Sequence, residues 1–182
     1  MIMQRIKARR ICLSRHLWVA IWLAGLAPAV AAPEIQDLAD RYSPGLEQCL
    51  AGTQDGASHK ACIGRLAAEC SQNEAGGETT LGMMMCNQAE TLVWDRVLNQ
   101  EYRETMAWAK SLDAGGEADF AVRAERLRDA QRAWITFRDA ECGFAYSVWG
   151  AGSLRHISGS ECLMSRTAQR AIELRMRRDI VE

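Results

Sequence analysis

The sequence predicts an all-α protein, a small helical bundle linked by disulfides. Only three prolines occur, and none lies after Pro44, so the strongest helix breaker is absent from the rest of the chain. Apolar side chains recur every three or four residues over long stretches, which is the spacing of one helix face. Six of the seven cysteines follow an apolar N-terminal run, and this even number is typical of a disulfide framework in an exported protein.

The first 31 residues have the three parts of an export signal. Basic residues without any acidic residue precede an apolar run over residues 17–30, and Ala29-Val30-Ala31 forms a small-residue cleavage site. We expect cleavage after Ala31, which predicts a periplasmic or secreted protein. The run is too short to span a bilayer comfortably and no later run is longer, so we expect no membrane span after cleavage.

The chain that remains after cleavage is acidic. Residues 32–182 contain 17 Lys and Arg against 23 Asp and Glu, a formal charge of about −6. Non-specific binding to nucleic acid requires a basic surface, so we predict no nucleic-acid partner. An acidic surface favours a cationic partner instead. About 150 residues fit one domain with a core of its own.

Three disulfides are predicted from the six later cysteines, which are Cys49, Cys62, Cys70, Cys86, Cys142 and Cys162. In an antiparallel helical hairpin, Cys49 and Cys62 lie equally far from the turn, which pairs them. For the other four we favour Cys70–Cys86 with Cys142–Cys162, and Cys86–Cys142 with Cys70–Cys162 stays open. Because no Cys-x-x-Cys pair and no Cys/His cluster occurs, we predict no metal ion and no cofactor.

Two short helices, over residues 35–50 and 59–70, are predicted to form an N-terminal hairpin extension, residues 32–70. A polar linker over residues 71–80 follows. The next helix, over residues 84–112, carries the apolar stripe Trp94, Leu98, Tyr102, Met106 and Ala109. We expect Asp113-Ala-Gly-Gly116 to end it through a glycine in the left-handed conformation.

A second long helix is predicted from the stripe Phe120, Leu127, Ala130, Trp134, Phe137 and Phe144. The short turn between the two long helices makes them antiparallel neighbours. Residues 145–160 hold three glycines and four serines, so we expect an irregular loop there. Ser160 is expected to cap a C-terminal helix whose apolar side carries Cys162, Ala168, Ile172 and Met176.

Polar residues beside the Trp134 stripe have a structural interpretation. Gln131 and Arg138 lie seven residues apart on one helix face, so both side chains are expected to lie partly against the core. A partly buried guanidinium needs a carboxylate, which Asp95 or Glu90 of the preceding helix is expected to supply. The polar motif with this structural role is Asp95, Gln131, Arg138 and Asp139.

Several of these residues recur in a family pattern. The pattern comprises Thr79-Thr80-Leu-Gly-Met-Met-Met-Cys86, Trp94-Asp95-x-x-Leu98-Asn99-x-x-Tyr102, Leu127-x-x-x-Gln131-x-x-Trp134-x-x-Phe137-Arg138-Asp139-x-x-Cys142, Gly152-Ser153, Cys162, Thr167 and Arg170. This series resembles the exported lysozyme inhibitor LprI-like family over about residues 70–178. The resemblance implies a small, helical, disulfide-linked domain, here residues 71–182, and inhibition of lysozyme as its function.

The residues themselves indicate a binding protein rather than an enzyme. No Gly-x-Ser-x-Gly motif, no phosphate-binding glycine loop and no carboxylate pair in an apolar setting is visible. Lysozyme of the animal type is cationic, so an acidic inhibitor is steered towards it. The residues expected to contact a partner such as lysozyme or another exported protein are Trp149, Ser153, Arg155, His156 and Ser158. The alternative function is a structural or protein-interaction module of the cell envelope that does not bind lysozyme.

Overall fold

The computed structural model describes residues 33–53 and 55–179, most of which lie in six α-helices. These are α1 (Pro33–Ala51), α2 (Gly56–Lys60), α3 (Arg65–Asn73), α4 (Thr80–Gly115), α5 (Arg123–Ser147) and α6 (Leu154–Asp179), with a short 3-10 helix, Ala118–Phe120, before α5. No strand occurs in the described part of the chain, and the all-α prediction is confirmed. The expected signal, residues 1–31, lies outside the described residues.

Helices α4 and α6 form the centre of the bundle. Of all the helix pairs these two have the most extensive contact, while α1 and α3 pack on α4, and α5 packs chiefly on α6. Leu46 and Leu66 from the N-terminal helices share one buried cluster with Trp94 of α4 and Leu174 of α6. The N-terminal hairpin therefore contributes to the same core as the rest of the bundle.

The prediction of one helix over residues 59–70 is wrong, because Gly64 divides it into α2 and α3. Gly64 has a φ of 86°, a left-handed conformation that favours glycine. Its N–H donates to Glu90 Oε1 at 2.7 Å, and the N–H of Ala67 donates to Glu90 Oε2 at 2.8 Å. A carboxylate from α4 thus satisfies the free amides at the start of α3, the task that a side chain of the same segment usually performs.

Glu90 is a buried acid whose surroundings have opposing effects on its pKa. Trp94 Nε1 also donates to its Oε1, at 2.8 Å. Burial raises the pKa of the Glu90 carboxyl, and the hydrogen bonds from Ala67, Trp94 and Gly64 offset only part of that rise. The folded protein therefore holds this proton more tightly than the unfolded chain does.

A pH dependence of stability follows from Glu90. Because its folded pKa is raised, its protonated form contributes stability that is lost as the pH rises from the ordinary carboxyl range, about pH 4.5, through the folded pKa. We expect the free energy of unfolding of the native protein to fall, relative to that of Glu90→Gln, over this rise. Urea unfolding of both proteins at several pH values measures the difference. A native protein that gains stability relative to Glu90→Gln as the pH rises would contradict the expected sign.

Helix α4 is longer than predicted at both ends. Thr79 caps its start, with Oγ1 accepting from the N–H of Gly82 at 3.0 Å. A side chain at Gly82 would collide with the backbone of Gly76 and Gly77, so the glycine lets the preceding turn lie against the helix. The helix ends at Gly115, within the segment Asp113–Gly116 that was expected to end it, but the expected left-handed glycine is wrong, because Gly116 has a φ of −100°.

The three disulfides join Cys49 to Cys62, Cys70 to Cys86 and Cys142 to Cys162. These are the pairs favoured from hairpin geometry, and the alternative with Cys86–Cys142 and Cys70–Cys162 is not formed. The first links α1 to the segment after α2, the second links α3 to α4, and the third links α5 to α6. Every helix except the short α2 is therefore joined covalently to a neighbour close to one of its ends.

The irregular loop expected over residues 145–160 is largely helical. Helix α5 continues to Ser147 and α6 begins at Leu154, which leaves only residues 148–153 as a turn. Ser160 lies inside α6 and does not cap it. Its Oγ donates to Ile157 O at 3.0 Å and accepts from Asn87 Nδ2 at 3.1 Å.

The large apolar residues of the two long stripes differ in how deeply they are buried. Trp94 and Leu98 are buried, and Tyr102 and Trp134 are half-buried against the core. Phe137 was expected in the core but is 52% exposed. Phe120 and Phe144 of the same stripe are 61% and 67% exposed.

Candidate partner-binding surface

The turn over residues 148–153 forms one end of the α5–α6 pair. Trp149 in this turn is 48% exposed, and Ser153 is exposed. Backbone hydrogen bonds from Gly150 to Ser147 and from Gly152 to Trp149 fold the turn tightly, and Gly150 has a φ of 51°. The Cys142–Cys162 disulfide joins the two helices just behind it. A tight turn held this way presents Trp149 with little loss of freedom on binding.

Arg155 and Tyr146 stabilise the turn from within. The Arg155 guanidinium lies 5.4 Å from the centre of the Tyr146 ring, and its Nη1 donates to Gly150 O at 3.2 Å. His156 meets the same ring edge-on, with 5.5 Å between ring centres. Ser158 Oγ donates to Ala145 O at 3.1 Å. Arg155, His156 and Ser158 therefore make contacts inside the chain, and Trp149 and Ser153 are the more available of the five expected contact residues.

An apolar groove begins at this end of the bundle. Its first part is a cavity of about 410 Å³, between α4, α5 and α6. The lining residues are Met84, Gln88, Asp139, Cys142, Gly143, Tyr146, His156, Gly159, Ser160 and Leu163. A second cavity of about 250 Å³ shares Gln88, Ser160 and Leu163 and extends to Ile35 of α1. The groove thus leads from the turn to the N-terminal helix.

The polar motif is only partly brought together. Gln131 Oε1 accepts from Nε of the buried Arg170 at 3.0 Å, so Arg170 is its partner. Arg138 donates to the adjacent Asp139 Oδ1 from Nε and Nη2, at 2.9 and 2.8 Å, and lies over the Trp134 ring. The expected pairing of Arg138 with Asp95 or Glu90 is wrong.

Asp95 lies apart from the rest of the motif. It is exposed and accepts from Asn99 Nδ2 at 3.1 Å, one turn further along α4. Its side chain points away from the helix face that Trp94 and Leu98 bury. Asp95 is therefore adjacent to core residues of the family pattern in the sequence, but it is not part of the core in the structure.

Sequence reasoning missed Glu101, and it considered Glu90 only as a partner for Arg138. Glu90 and Glu101 stand at helical spacing with Trp94, Leu98 and Thr105, on the face that the core covers. A charged residue on an apolar stripe is itself a signal, because it must find buried partners. Glu101 finds two, Arg175 and Arg178 of α6.

The described residues contain no group of three or more His, Cys, Asp or Glu side chains arranged to hold a metal ion. Nor does any helix of residues 33–53 or 55–179 have both the length and the apolarity for a membrane crossing.

The fold defines a small all-α module whose helices are linked by three disulfides. The chain belongs to the family described as lysozyme inhibitor LprI, whose model matches residues 70–174, more than half of its length. It is also similar to an uncharacterized protein, R02472, of Rhizobium meliloti (strain 1021), with 33% identity over 98 residues, 52% of this chain and 70% of that protein. No solved structure matches the chain.

Proposed function

We propose that this protein is an exported binding protein, not an enzyme, that inhibits lysozyme through the end of the bundle around Trp149. The membership of the lysozyme inhibitor LprI family carries the proposal. The three disulfides fit a protein that works outside the reducing cytoplasm. The expected signal sequence over residues 1–31 supports the same location.

The distribution of charge supports a cationic partner. Residues 33–120, which contain α1 to α4, hold 15 acidic and 6 basic residues, whereas residues 121–182 hold 8 acidic and 11 basic residues. Glu34, Asp37, Asp40 and Glu47 are exposed on α1. A basic enzyme is therefore attracted towards the α1 side. The groove links that side to the turn, because Ile35 lines one end and Tyr146 and His156 line the other.

Trp149 has the properties of an anchor. Large aromatic side chains supply much of the binding energy at protein interfaces, and they do so best when they are held in place before binding. The tight turn and the neighbouring Arg155–Tyr146 stack hold the backbone on both sides of it. The proposed complex thus combines long-range steering by α1 with a local aromatic contact at the turn.

The decisive test is lysis of bacterial cell wall by lysozyme in the presence of the purified, oxidised protein. We expect inhibition that saturates with protein concentration, and we expect Trp149→Ala to weaken it at least about tenfold, as for an interface anchor. Phe120→Ala is the matched control, because Phe120 is also exposed but lies before α5, at its opposite end. This control should leave inhibition unchanged.

The possible results distinguish two questions: whether the protein inhibits lysozyme, and which surface of the protein contacts it. Undiminished lysis at a large excess of protein would remove the inhibitor function and leave the alternative, an interaction module of the cell envelope. Inhibition that resists Trp149→Ala but weakens on Glu34→Gln with Asp37→Asn would move the contact to α1. If these two substitutions weaken inhibition more at low salt than at high salt, α1 acts by steering, because salt screens exposed charges.

A further inference from the structure

Helix α5 carries a second apolar stripe that no part of the described chain covers. Its members follow each other at alternating intervals of three and four residues, and all are exposed: Ala130, Ala133, Phe137, Ala140 and Phe144. This is the spacing by which one helix packs along another. Small residues alternate with the two large ones along the stripe.

This stripe is distinct from the face by which α5 joins the bundle. That face carries Gln131, which contacts Arg170, and Trp134, which lies under the same guanidinium, together with the disulfide-bonded Cys142. At 3.6 residues per turn the exposed stripe is centred about 125° away from that face. The core of the bundle therefore does not account for Phe137 and Phe144.

We propose that a second copy of this chain covers the stripe, with the two α5 helices antiparallel about a two-fold axis. In that arrangement Phe137 lies opposite Ala140 of the second copy, and Phe144 lies opposite Ala133 of the second copy. Each large side chain then fits against a small one, four times in the symmetric pair. The stripe is complementary to itself, as a two-fold interface requires.

The charges around the stripe are compatible with this pairing. On one edge, Thr136 and Gly143 are uncharged, and the carboxylate of Asp129 is paired with Arg132 Nη2. On the other edge, Arg166 Nη2 pairs with Glu141 Oε1 at 3.2 Å, so the two charges offset each other beside Phe137. The antiparallel arrangement also places Arg126 near the carbonyl end of α5 of the second copy, where a cation is favourable.

The size of the contact sets the expected strength. From Ala130 to Phe144 a helix extends roughly 20 Å. Two helices packed over that length bury on the order of 500 Å² on each copy, at the lower limit of specific interfaces. We therefore expect a reversible dimer with a dissociation constant on the order of 10–100 μM, not a permanent one.

Sedimentation equilibrium of the oxidised protein, over about 5 to 500 μM, tests the dimer directly. We expect a monomer–dimer equilibrium that Phe137→Gln weakens at least about tenfold, with unchanged helix content by circular dichroism. Phe120→Gln is the matched control, since Phe120 is a similarly exposed phenylalanine outside α5. It should leave the equilibrium unchanged.

A second variant tests the large-to-small fit. Ala140→Phe adds apolar surface to the stripe, but it sets a phenylalanine against Phe137 of the second copy. The proposal predicts a weaker dimer, whereas non-specific hydrophobic association would become stronger. A protein that stays monomeric at the highest concentration, or an Ala140→Phe variant that associates more tightly, would overturn the proposal. Because Trp149 lies beyond the stripe, loss of lysozyme inhibition would not affect this test.

Discussion

Replacement of Glu101 by glutamine is expected to lower the free energy of unfolding by about 3–5 kcal/mol. Glu101 is almost completely buried on α4. Its Oε1 accepts from Arg175 Nε at 2.8 Å, and its Oε2 accepts from Arg178 Nη2 at 2.6 Å. A glutamine of the same shape offers one acceptor and no charge, so it leaves the Arg175 guanidinium without its counter-ion and Arg178 with only the exposed Glu104.

The surrounding contacts make relaxation difficult. Arg178 Nη1 also donates to Thr105 Oγ1 at 2.8 Å, and that hydroxyl donates in turn to Leu174 O at 3.1 Å. Arg175 Nη1 lies 3.0 Å from Nε2 of the buried His59, which connects α2 to the same network. Loss of the carboxylate therefore disturbs the contacts of α4 with α6 and of α6 with α2 together.

Glu104 provides a matched control for this prediction. It pairs with the same Arg178 Nη2, at 2.7 Å, but it lies on the exposed face of α4. An exposed ion pair contributes about 0–1 kcal/mol, so Glu104→Gln should have a small effect. Urea unfolding followed by far-UV circular dichroism, with the disulfides oxidised, measures both variants. Equal losses for Glu101→Gln and Glu104→Gln would show that burial is not the deciding factor.

The helices and the disulfide partners could be predicted because both follow from local rules. The period of the apolar residues located α1, α4 and α5 to within a few residues, and α6 except for its first turns, residues 154–159. The short turn between the N-terminal helices placed Cys49 beside Cys62 without any knowledge of the core. In each case the relevant interaction lies within one helix or one hairpin.

The break at Gly64 could not be predicted by the same rules. A single glycine inside an apolar pattern is compatible with a continuous helix. What favours a new helix start here is a contact across the bundle, because the Glu90 carboxylate accepts from the amides of Gly64 and Ala67 at the beginning of α3. Glu90 lies 26 residues from Gly64 in the sequence, so local patterns do not connect them.

The interval 145–160 was misread because small residues have two uses. Glycine and serine are frequent in loops, but they also allow helices to approach closely. Gly159 faces the Tyr146 side chain so closely that a Cβ there would lie 3.1 Å from the ring. Ser158 and Ser160 hydrogen-bond to α5 and α4 through Ala145 O and Asn87. Composition alone does not distinguish these uses.

The exposure of the stripe that contains Phe137 could not be predicted from the periodicity of apolar residues. A period of three or four shows that a helix has an apolar face, but it does not show what covers that face. Helix α5 has two such faces, one against α6 with Trp134 and one towards solvent with Phe137 and Phe144. The candidate surface around Trp149 was located in sequence for a different reason, because an exposed turn was expected between two helices.

Removal of the Cys70–Cys86 disulfide, by replacement of both residues with alanine, is expected to lower the free energy of unfolding by about 3–5 kcal/mol. Its cysteines are 16 residues apart, and closing a loop of about 15 residues contributes about 3 kcal/mol in the chain-entropy account. Both sulfur atoms lie in the core, so the double replacement also leaves an unfilled volume.

The position of this disulfide adds to the effect. It joins the last turn of α3 to the first turns of α4, on either side of the tight turn over residues 74–79. Four residues after Cys86, Glu90 holds the start of α3 through the amides of Gly64 and Ala67. Without the covalent link, the docking of α3 on α4 depends on that one carboxylate and on the contacts of Leu66.

The Cys49–Cys62 disulfide is the natural comparison. Its cysteines are 13 residues apart, so the chain-entropy contribution is nearly the same, but Cys49 is only partly buried. Because Cys62 is fully buried, we expect the Cys49→Ala/Cys62→Ala protein to lose less stability by about the packing contribution of one buried sulfur, roughly 1 kcal/mol. Urea unfolding of the two double variants measures this difference. Equal losses would mean that loop closure alone decides, and that the buried position of Cys70 and Cys86 contributes nothing beyond it.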